Sequence, residues 1–436
     1  MYPTKRYPHF DKVIHFSNVR GYVCNPKKVA EHSFFPLVHY VKIAKRYDSD
    51  HTDETESDIH RQHVKIKERD IMYAAHLDGY IYRYYADQLN EIYNCKAEQY
   101  HIDSVAIAYR DNKPGLSNIQ FAREVFDFII AHPCCYIRVG DFEHFFDSLQ
   151  HTYLKQQVKK LLETDELPLD WYKVLRSVMQ YTFVDRKVIA PFYDKRSKCY
   201  FKSIKEYRSF RQVHPGAFHS NQTTIGIPQG TALSGVLANI YMMDIDRKIQ
   251  EFVQSYGGLY RRYSDDTIIV IPIIEKNDID TNLLDYRIQE WIHEVSLSEQ
   301  EEKTKRFIYH DDMLYSASNP NKISMMDYLG FTFNGKEAKV RQKSIYKFER
   351  KASTAINHAA AIKKKYELDQ LPFKSSILPY YFLNGHKPGK QIHQSNFLDY
   401  LNRVKDAYQK GDISCEPNKQ IVKLNRKIRR LYNRVK

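Results

Sequence analysis

Leu259-Tyr260-Arg261-Arg262-Tyr263-Ser264-Asp265-Asp266-Thr267-Ile268-Ile269-Val270-Ile271 holds two β-rich runs joined by an acidic tip. Runs of this kind predict a hairpin. An ordinary two-residue hairpin turn favours Asn-Gly or Asp-Gly. Two adjacent carboxylates there repel each other, and burial beside apolar strands raises that cost. A divalent cation offsets it, and Mg²⁺ takes carboxylate and phosphate oxygens. The competing reading is a plain turn, since Asp is a turn former.

A second carboxylate has the same setting. Tyr136-Ile137-Arg138-Val139-Gly140-Asp141-Phe142 places Asp141 at the end of another β-rich run. The sequence separation of Asp141 from Asp265 is 124 residues, so they meet only if the two runs share a sheet. Three carboxylates gathered in that way suit a pair of metal ions ~3.5–4 Å apart, as in nucleotidyl transfer.

Composition agrees with a polyanionic partner. Of 436 residues, 67 are Lys or Arg and 53 Asp or Glu, a net charge of +14. Such an excess attracts nucleic acid, and 35 tyrosines offer faces for unpaired bases. A solvated basic surface and ordinary core aromatics are the plainer alternatives. Six scattered cysteines with no CxxC pair argue against a disulfide framework or a zinc site of that spacing. No apolar run reaches the ~18 residues of a membrane span, and the first residues lack a signal-peptide core. The expectation is a cytoplasmic protein with no membrane partner.

Along the chain, Tyr47–Asp58 reads as an acidic loop. Helices are predicted over Ile71–Tyr93, Ile119–His132, most of 152–183, Leu233–Phe252 and Arg287–Glu299. Ser104–Arg110 is predicted as a strand. The Cys134-Cys135 pair is expected in or beside a buried strand, a loop is expected at Asn384–Lys390, and 184–222 is mixed and basic. Lys419–Lys436 carries eight basic and no acidic residues, with Ile421, Leu424, Ile428 and Leu431 at helical spacing. This is the pattern of an amphipathic basic helix.

Five motifs in order resemble the reverse transcriptase family over roughly residues 70–335. They are Asp141-Phe142-Glu143-His144-Phe145-Phe146-Asp147-Ser148-Leu149, Gly226-Ile227-Pro228-Gln229-Gly230-Thr231-Ala232-Leu233-Ser234, Tyr263-Ser264-Asp265-Asp266, Lys303-Thr304 and Tyr328-Leu329-Gly330-Phe331. The resemblance implies an α+β right-hand polymerase whose palm is an antiparallel sheet backed by helices. It places an N-terminal extension and acidic linker at 1–59, fingers at 60–135 and 151–222, palm at 136–150 and 223–334, and a mostly helical basic thumb at 335–436.

It also implies roles. Asp141, Asp265 and Asp266 would be catalytic and would hold two Mg²⁺ ions, with Mn²⁺ as a substitute and the Phe142 carbonyl as an added ligand. Arg110, Lys113, Phe146, Gln229, Gly230 and Lys303 would bind the nucleotide, Phe146 by excluding a 2′-OH. Lys305 competes with Lys303 for its role. Tyr263, Lys363, Lys364, Lys365, Arg426, Lys427, Arg429 and Arg430 would contact nucleic acid. Two positions depart from the family pattern: Gly235 stands where Pro is usual, and Ser264 where Ala, Met or Val is commoner. The Ile71–Tyr93 region, followed by Tyr109-Arg110, resembles bacterial retron and phage-defence members.

The expected activity is RNA-templated DNA synthesis from dNTPs, on a structured noncoding RNA in antiphage defence. A homo-oligomer or a second defence protein is an open partner. Template-independent or protein-primed synthesis by the same site, and a catalytically silent RNA-binding protein, are the alternatives.

Overall fold

The computed structural model describes residues 2–47, 64–273, 280–375, 377, 396–409, 413, 415 and 417–435. The acidic stretch 48–58 and the loop 384–390 lie outside the described residues.

The centre of the molecule is a six-stranded sheet in the order β12-β11-β10-β5-β9-β8. Its strands are β5 (Cys134–Asp141), β8 (Leu259–Tyr263), β9 (Asp266–Pro272), β10 (Lys305–His310), β11 (Met313–Ser316) and β12 (Asn319–Ile323). All its pairings are antiparallel. Side chains alternate across a strand, and here both faces are buried. On β9, Ile269 and Ile271 join one core while Ile268 and Val270 join the other. On β5, Tyr136 joins the first and Cys135 and Ile137 the second. This two-sided burial is why these strands read as continuous apolar runs.

The first core is closed by the helices His76–Gln99 and Ser234–Ser255. The latter buries residues all round its first half, so its pattern is apolar rather than amphipathic. The second core is closed by the helix Asn118–Ile130, by a three-stranded sheet, and by the C-terminal helices. That sheet comprises β13 (Met326–Tyr328), β14 (Phe331–Phe333) and β15 (Ala338–Val340). Helix Asn118–Ile130 starts with a capping box, Ser117 and Gln120 satisfying each other's backbone N–H groups. The helix Pro417–Val435 buries Leu424, Ile428 and Tyr432 and exposes its basic side. Among the described residues no helix is long and apolar enough to cross a membrane.

A four-stranded sheet flanks the centre in the order β4-β1-β6-β7. Its strands are β1 (Leu37–Val41), β4 (Asp70–Tyr73), β6 (Thr182–Asp185) and β7 (Phe218–Ser220). A short pair, β2 (Ala44–Tyr47) with β3 (Val64–Lys67), extends the β1–β4 ladder outward. The expected boundary at residue 59 lies between β1 and its partner β4. Residues 37–41 are part of this four-stranded sheet, and residues further upstream bind the segment that follows β4. The Asp11 carboxylate accepts from the N–H groups of His76 and Leu77. Tyr7 donates to the Ala74 carbonyl. The predicted strand Ser104–Arg110 is corrected. Only Ala106 forms a bridge, to Arg262, and the backbone turns left-handed at Tyr109 (φ 61°).

Candidate active site

Pairing of β5 with β9 sets Asp141 directly opposite Asp266. Residues opposite each other in an antiparallel pair share a face, so both carboxylates leave the sheet on the same side. Asp265 sits in the two-residue turn between β8 and β9, and its carbonyl accepts from the Phe142 N–H at 3.1 Å. The three carboxylates expected to meet are therefore neighbours at one end of two adjacent strands.

Repulsion among them is visible in Asp266. Burial first, then the charges of Asp265 and Asp141, push its carboxyl up to about 6. Lys303 and Arg341 oppose that shift. Lys303 also places its Nζ 2.8 Å from Asp141 Oδ2, so of the two lysine candidates it is the one that reaches the cluster. Among the described residues no three acidic, His or Cys side chains are gathered closely enough to hold a metal ion. The donor set is nonetheless all oxygen, and Lys303 and Arg341 offset only part of the charge of three carboxylates. Hard divalent cations such as Mg²⁺ choose such donors, and the residues fit one.

Beneath the carboxylates lies a network that the motifs did not reveal. Arg138 is 1% exposed on β5, with Nη1 3.0 Å from Glu299 and Nε 2.9 Å from Asp285. Its second bond to Glu299 makes the pair bidentate. Gly140 follows from this packing. A Cβ there would lie 2.2 Å from Glu299 Oε1 and 2.6 Å from Thr267 Oγ1. Backbone bonds from Gln300 N to Asp141 O and from Glu143 N to Ser298 O close the same joint. The one signal in the sequence was a lone arginine inside an apolar run. Helix Arg287–Glu299 was expected to swallow Glu299; the observed helix is Thr281–Glu294, and Glu299 lies beyond it.

A second buried ion pair supports the turn from the β8 side. Arg262 and Asp246 are both fully buried, Nη2 to Oδ2 at 2.6 Å. Arg262 Nη1 also donates to the Ser264 carbonyl at 3.1 Å. Ser264 is left-handed (φ 63°) and 5% exposed, at a position where glycine is normally favoured. Its hydroxyl lies 3.1 Å from that of Tyr109. The Tyr109 ring covers Gly235, where a Cβ would lie 2.6 Å from ring carbon Cγ. Asn90 and Asn239 hold this segment by donating to the carbonyls of Tyr109 and Ala108. Both departures from the family pattern, Gly235 and Ser264, thus meet one residue, Tyr109.

Phe142 and Phe145 are buried and stacked, ring centroids 5.2 Å apart. Phe146 is half-buried beside them, with its carbonyl accepting from Ile227 N. The loop before helix Ser234–Ser255 is tied to the fingers sheet, because Met72 N donates to the Gln229 carbonyl at 2.8 Å. Gly230 (φ 117°) lets that strand pass; a Cβ would lie 2.4 Å from the Met72 carbonyl oxygen. Tyr263 is half-buried, and burial raises its phenol above the ordinary value.

Arg110 and Lys113 are both bonded within their own turn. The Arg110 side chain is fully buried. It is held by Asn94, Asp103 and the carbonyls of Asp103 and Ala106, over the Tyr93 ring. Lys113 is bonded to the other oxygen of Asp103. These bonds pin the turn. Lys42 and Arg69, both exposed, exchange backbone bonds just after β1 and just before β4. Of the expected nucleic-acid contacts, Lys364, Lys365, Arg426, Arg429 and Arg430 are exposed and Lys363 is half-buried. Lys427 is bonded to Glu349, fastening the last helix to Gln342–Lys365.

Comparison with curated proteins gives no match. Among solved structures, one similar chain is apo telomerase from Candida tropicalis truncated from its C-terminal domain. It has 15% identity and a TM-score of 0.41, over 71% of this chain and 56% of that one. Another is telomerase from Candida albicans in complex with the TWJ fragment of telomeric RNA. It has 11% identity and a TM-score of 0.42, over 96% of this chain and 65% of that one. The chain thus spans less than two thirds of the telomerase chains it matches. The family model "Reverse transcriptase (RNA-dependent DNA polymerase)" matches residues 81–333. That span covers more than half of the sequence and contains the paired Asp141 and Asp266 and the turn residue Asp265, and the chain belongs to the reverse transcriptase family.

Proposed function

We propose that this chain is an RNA-templated DNA polymerase that extends a 3′-OH with dNTPs. The observation that carries the reading is the pairing of Asp141 with Asp266, with Asp265 in the adjoining turn. Attack of the 3′-oxygen on the α-phosphorus forms one phosphodiester and releases pyrophosphate. Asp141, Asp265 and Asp266, with the Phe142 carbonyl, would hold Mg²⁺ or Mn²⁺. When bound, two such ions supply Lewis-acid polarisation and neutralise charge on the phosphoryl oxygens.

The chain's own groups do the rest. Lys303 carries positive charge to the edge of the carboxylates and has a proton to give the leaving pyrophosphate. Phe146 closes the sugar side against a 2′-OH. The Gln229–Gly230 backbone brings the fingers strand and the nucleotide site together. Lys42 and Arg69 on the fingers edge are placed to meet phosphate.

The resemblance of Ile71–Tyr93 to retron and phage-defence members supports a finer reading. In it the template is a dedicated structured noncoding RNA, the setting is the cytoplasm, and the role is antiphage defence. One experiment tests both levels. RNA and DNA co-purified with wild type are sequenced beside those from Asp265→Ala/Asp266→Ala. One enriched RNA with complementary DNA, lost in the variant, is the expected result. DNA without a complementary RNA would point to untemplated or protein-primed synthesis. RNA with no DNA in either sample would overturn the polymerase reading.

A further inference from the structure

Residues 186–213 carry nine basic side chains against two acidic ones, half of the whole chain's excess. All nine are exposed, and among the described residues none of them enters an ion pair. The two carboxylates are turned to the backbone. Asp194 accepts from the N–H groups of Arg196 and Ser197, and Glu206 from that of Lys202. The charge is therefore uncompensated within its own module.

This module has its own small aromatic core, Phe10, Tyr200, Phe201, Tyr207 and Phe210 among it, on the outer side of the fingers sheet. The helix Ile204–Val213 lies on that core by Tyr207 and Phe210. A groove runs along each flank of the helix. One, of about 660 Å³, has Phe34, Phe35 and Tyr207 as walls and Arg208 and Arg211 at its rim. The other, of about 450 Å³, is lined by Val188, Phe192, Phe210 and Val213. Arg211 already lies over an aromatic face, 5.5 Å from the Phe218 ring centroid. Phe192 and Tyr193 remain 42% and 40% exposed.

We infer that this module is an RNA-docking surface separate from the catalytic cleft, taking a segment with unpaired bases. Phosphates attract the exposed Lys and Arg side chains. The apolar grooves and exposed rings take bases that are free of a duplex, since aromatic faces bind unpaired bases in RNA loops and ends. An anionic membrane or an acidic protein would use the charge but leave the flat-walled grooves unexplained. The choice of RNA rests on the proposed RNA-templated function, while the surface itself is tested by binding alone.

The full-length chain is compared with Lys202→Ala/Lys205→Ala/Arg208→Ala and, separately, Tyr193→Ala. None of these residues touches the carboxylate cluster. The probe is a labelled RNA hairpin with a single-stranded tail, titrated at several salt concentrations. Three lost phosphate contacts should lower the salt slope by ~2 and weaken binding about tenfold or more near physiological salt. Tyr193→Ala should weaken tailed RNA about fivefold or more and leave a blunt RNA duplex unchanged. Extension of oligo(dT) on poly(rA) should be unchanged in both. Equal affinity and equal slope in the triple variant would overturn the inference. So would wild-type binding that is the same for the blunt duplex, or that is found only on phosphatidylserine vesicles. Reduced RNA binding in the triple variant, with no extension by any form, would leave this surface standing and remove the polymerase reading.

Discussion

Tyr109 and Ser264, 155 residues apart, hold left-handed backbone conformations (φ 61° and 63°) and place their hydroxyls 3.1 Å from each other. Each such non-glycine conformation costs of order 1–3 kcal/mol and persists where its surroundings impose it. Here the surroundings are Asn90, Asn239 and Arg262, which bond the carbonyls of Tyr109, Ala108 and Ser264. The strain sits one residue from Asp265.

A reciprocal rescue follows. Gly235 is the second residue of its helix, in the first turn where proline is tolerated, and the three atoms nearest a Cβ there all belong to the Tyr109 ring. Gly235→Pro alone should lower primer extension about tenfold. Tyr109→Ala/Gly235→Pro should recover most of that loss. A double-mutant cycle on kcat/KM measures the coupling, and additive effects would contradict the ring contact.

Asp266 makes the apo enzyme pH-sensitive. Its carboxyl is raised to about 6 in the fold against ~3.9 in an unfolded chain. The folded state therefore binds the extra proton, and stability falls as pH rises between those values. Asp266→Asn should raise the melting temperature of metal-free protein at pH 7 by ~2 °C and have little effect at pH 4. Saturating Mg²⁺ should shrink this difference. In the wild type, extension at low Mg²⁺ should rise through about pH 6, with the midpoint moving down as Mg²⁺ is added.

Asp141→Asn, and Asp265→Ala/Asp266→Ala, should lower extension by about 10³-fold or more while leaving RNA affinity within about threefold. Gel-shift and extension assays on the same preparations separate the two effects. Loss of both together would mean that the substitutions damage the fold.

The Arg262–Asp246 pair tests the support of the turn. Removing one partner leaves the other charge buried, at a cost of ~3–5 kcal/mol. Arg262→Met or Asp246→Leu should each show that loss in urea unfolding. The double variant should be markedly more stable than either single one.

Phe146→Ala should open the sugar side. Discrimination between dNTP and rNTP, measured as a ratio of kcat/KM, should fall by about tenfold or more. An unchanged ratio would assign Phe146 to packing alone.

The chemistry-bearing part of this chain was legible because its signals are local. The Asp-Asp turn lies between two β-rich runs, and a third carboxylate ends another. Their actual meeting depended on a register that no local pattern states, and it came with the Asp141–Asp266 pairing. The setting of Arg110 was hidden for a related reason. A basic residue at a turn resembles a phosphate ligand until Asp103 and Asn94 are seen around it. The sheet that crosses residue 59 was not legible because β1 joins partners from both 70–73 and 182–185. Glu299 and Gly140 were silent, since the need for a missing Cβ arises only when a buried carboxylate is packed against it.

The central position of β5 has a consequence for biosynthesis. Its two neighbours, β9 and β10, are drawn from residues 266–272 and 305–310. While the ribosome is still making those segments, Cys134–Asp141 has neither edge paired, and an apolar strand with open edges invites association with other chains. The nascent protein thus carries an apolar central strand unpartnered for more than a hundred residues of elongation. A chaperone or early RNA engagement acting in that interval would set the yield of active enzyme, and premature termination before β10 leaves a product with no complete catalytic sheet.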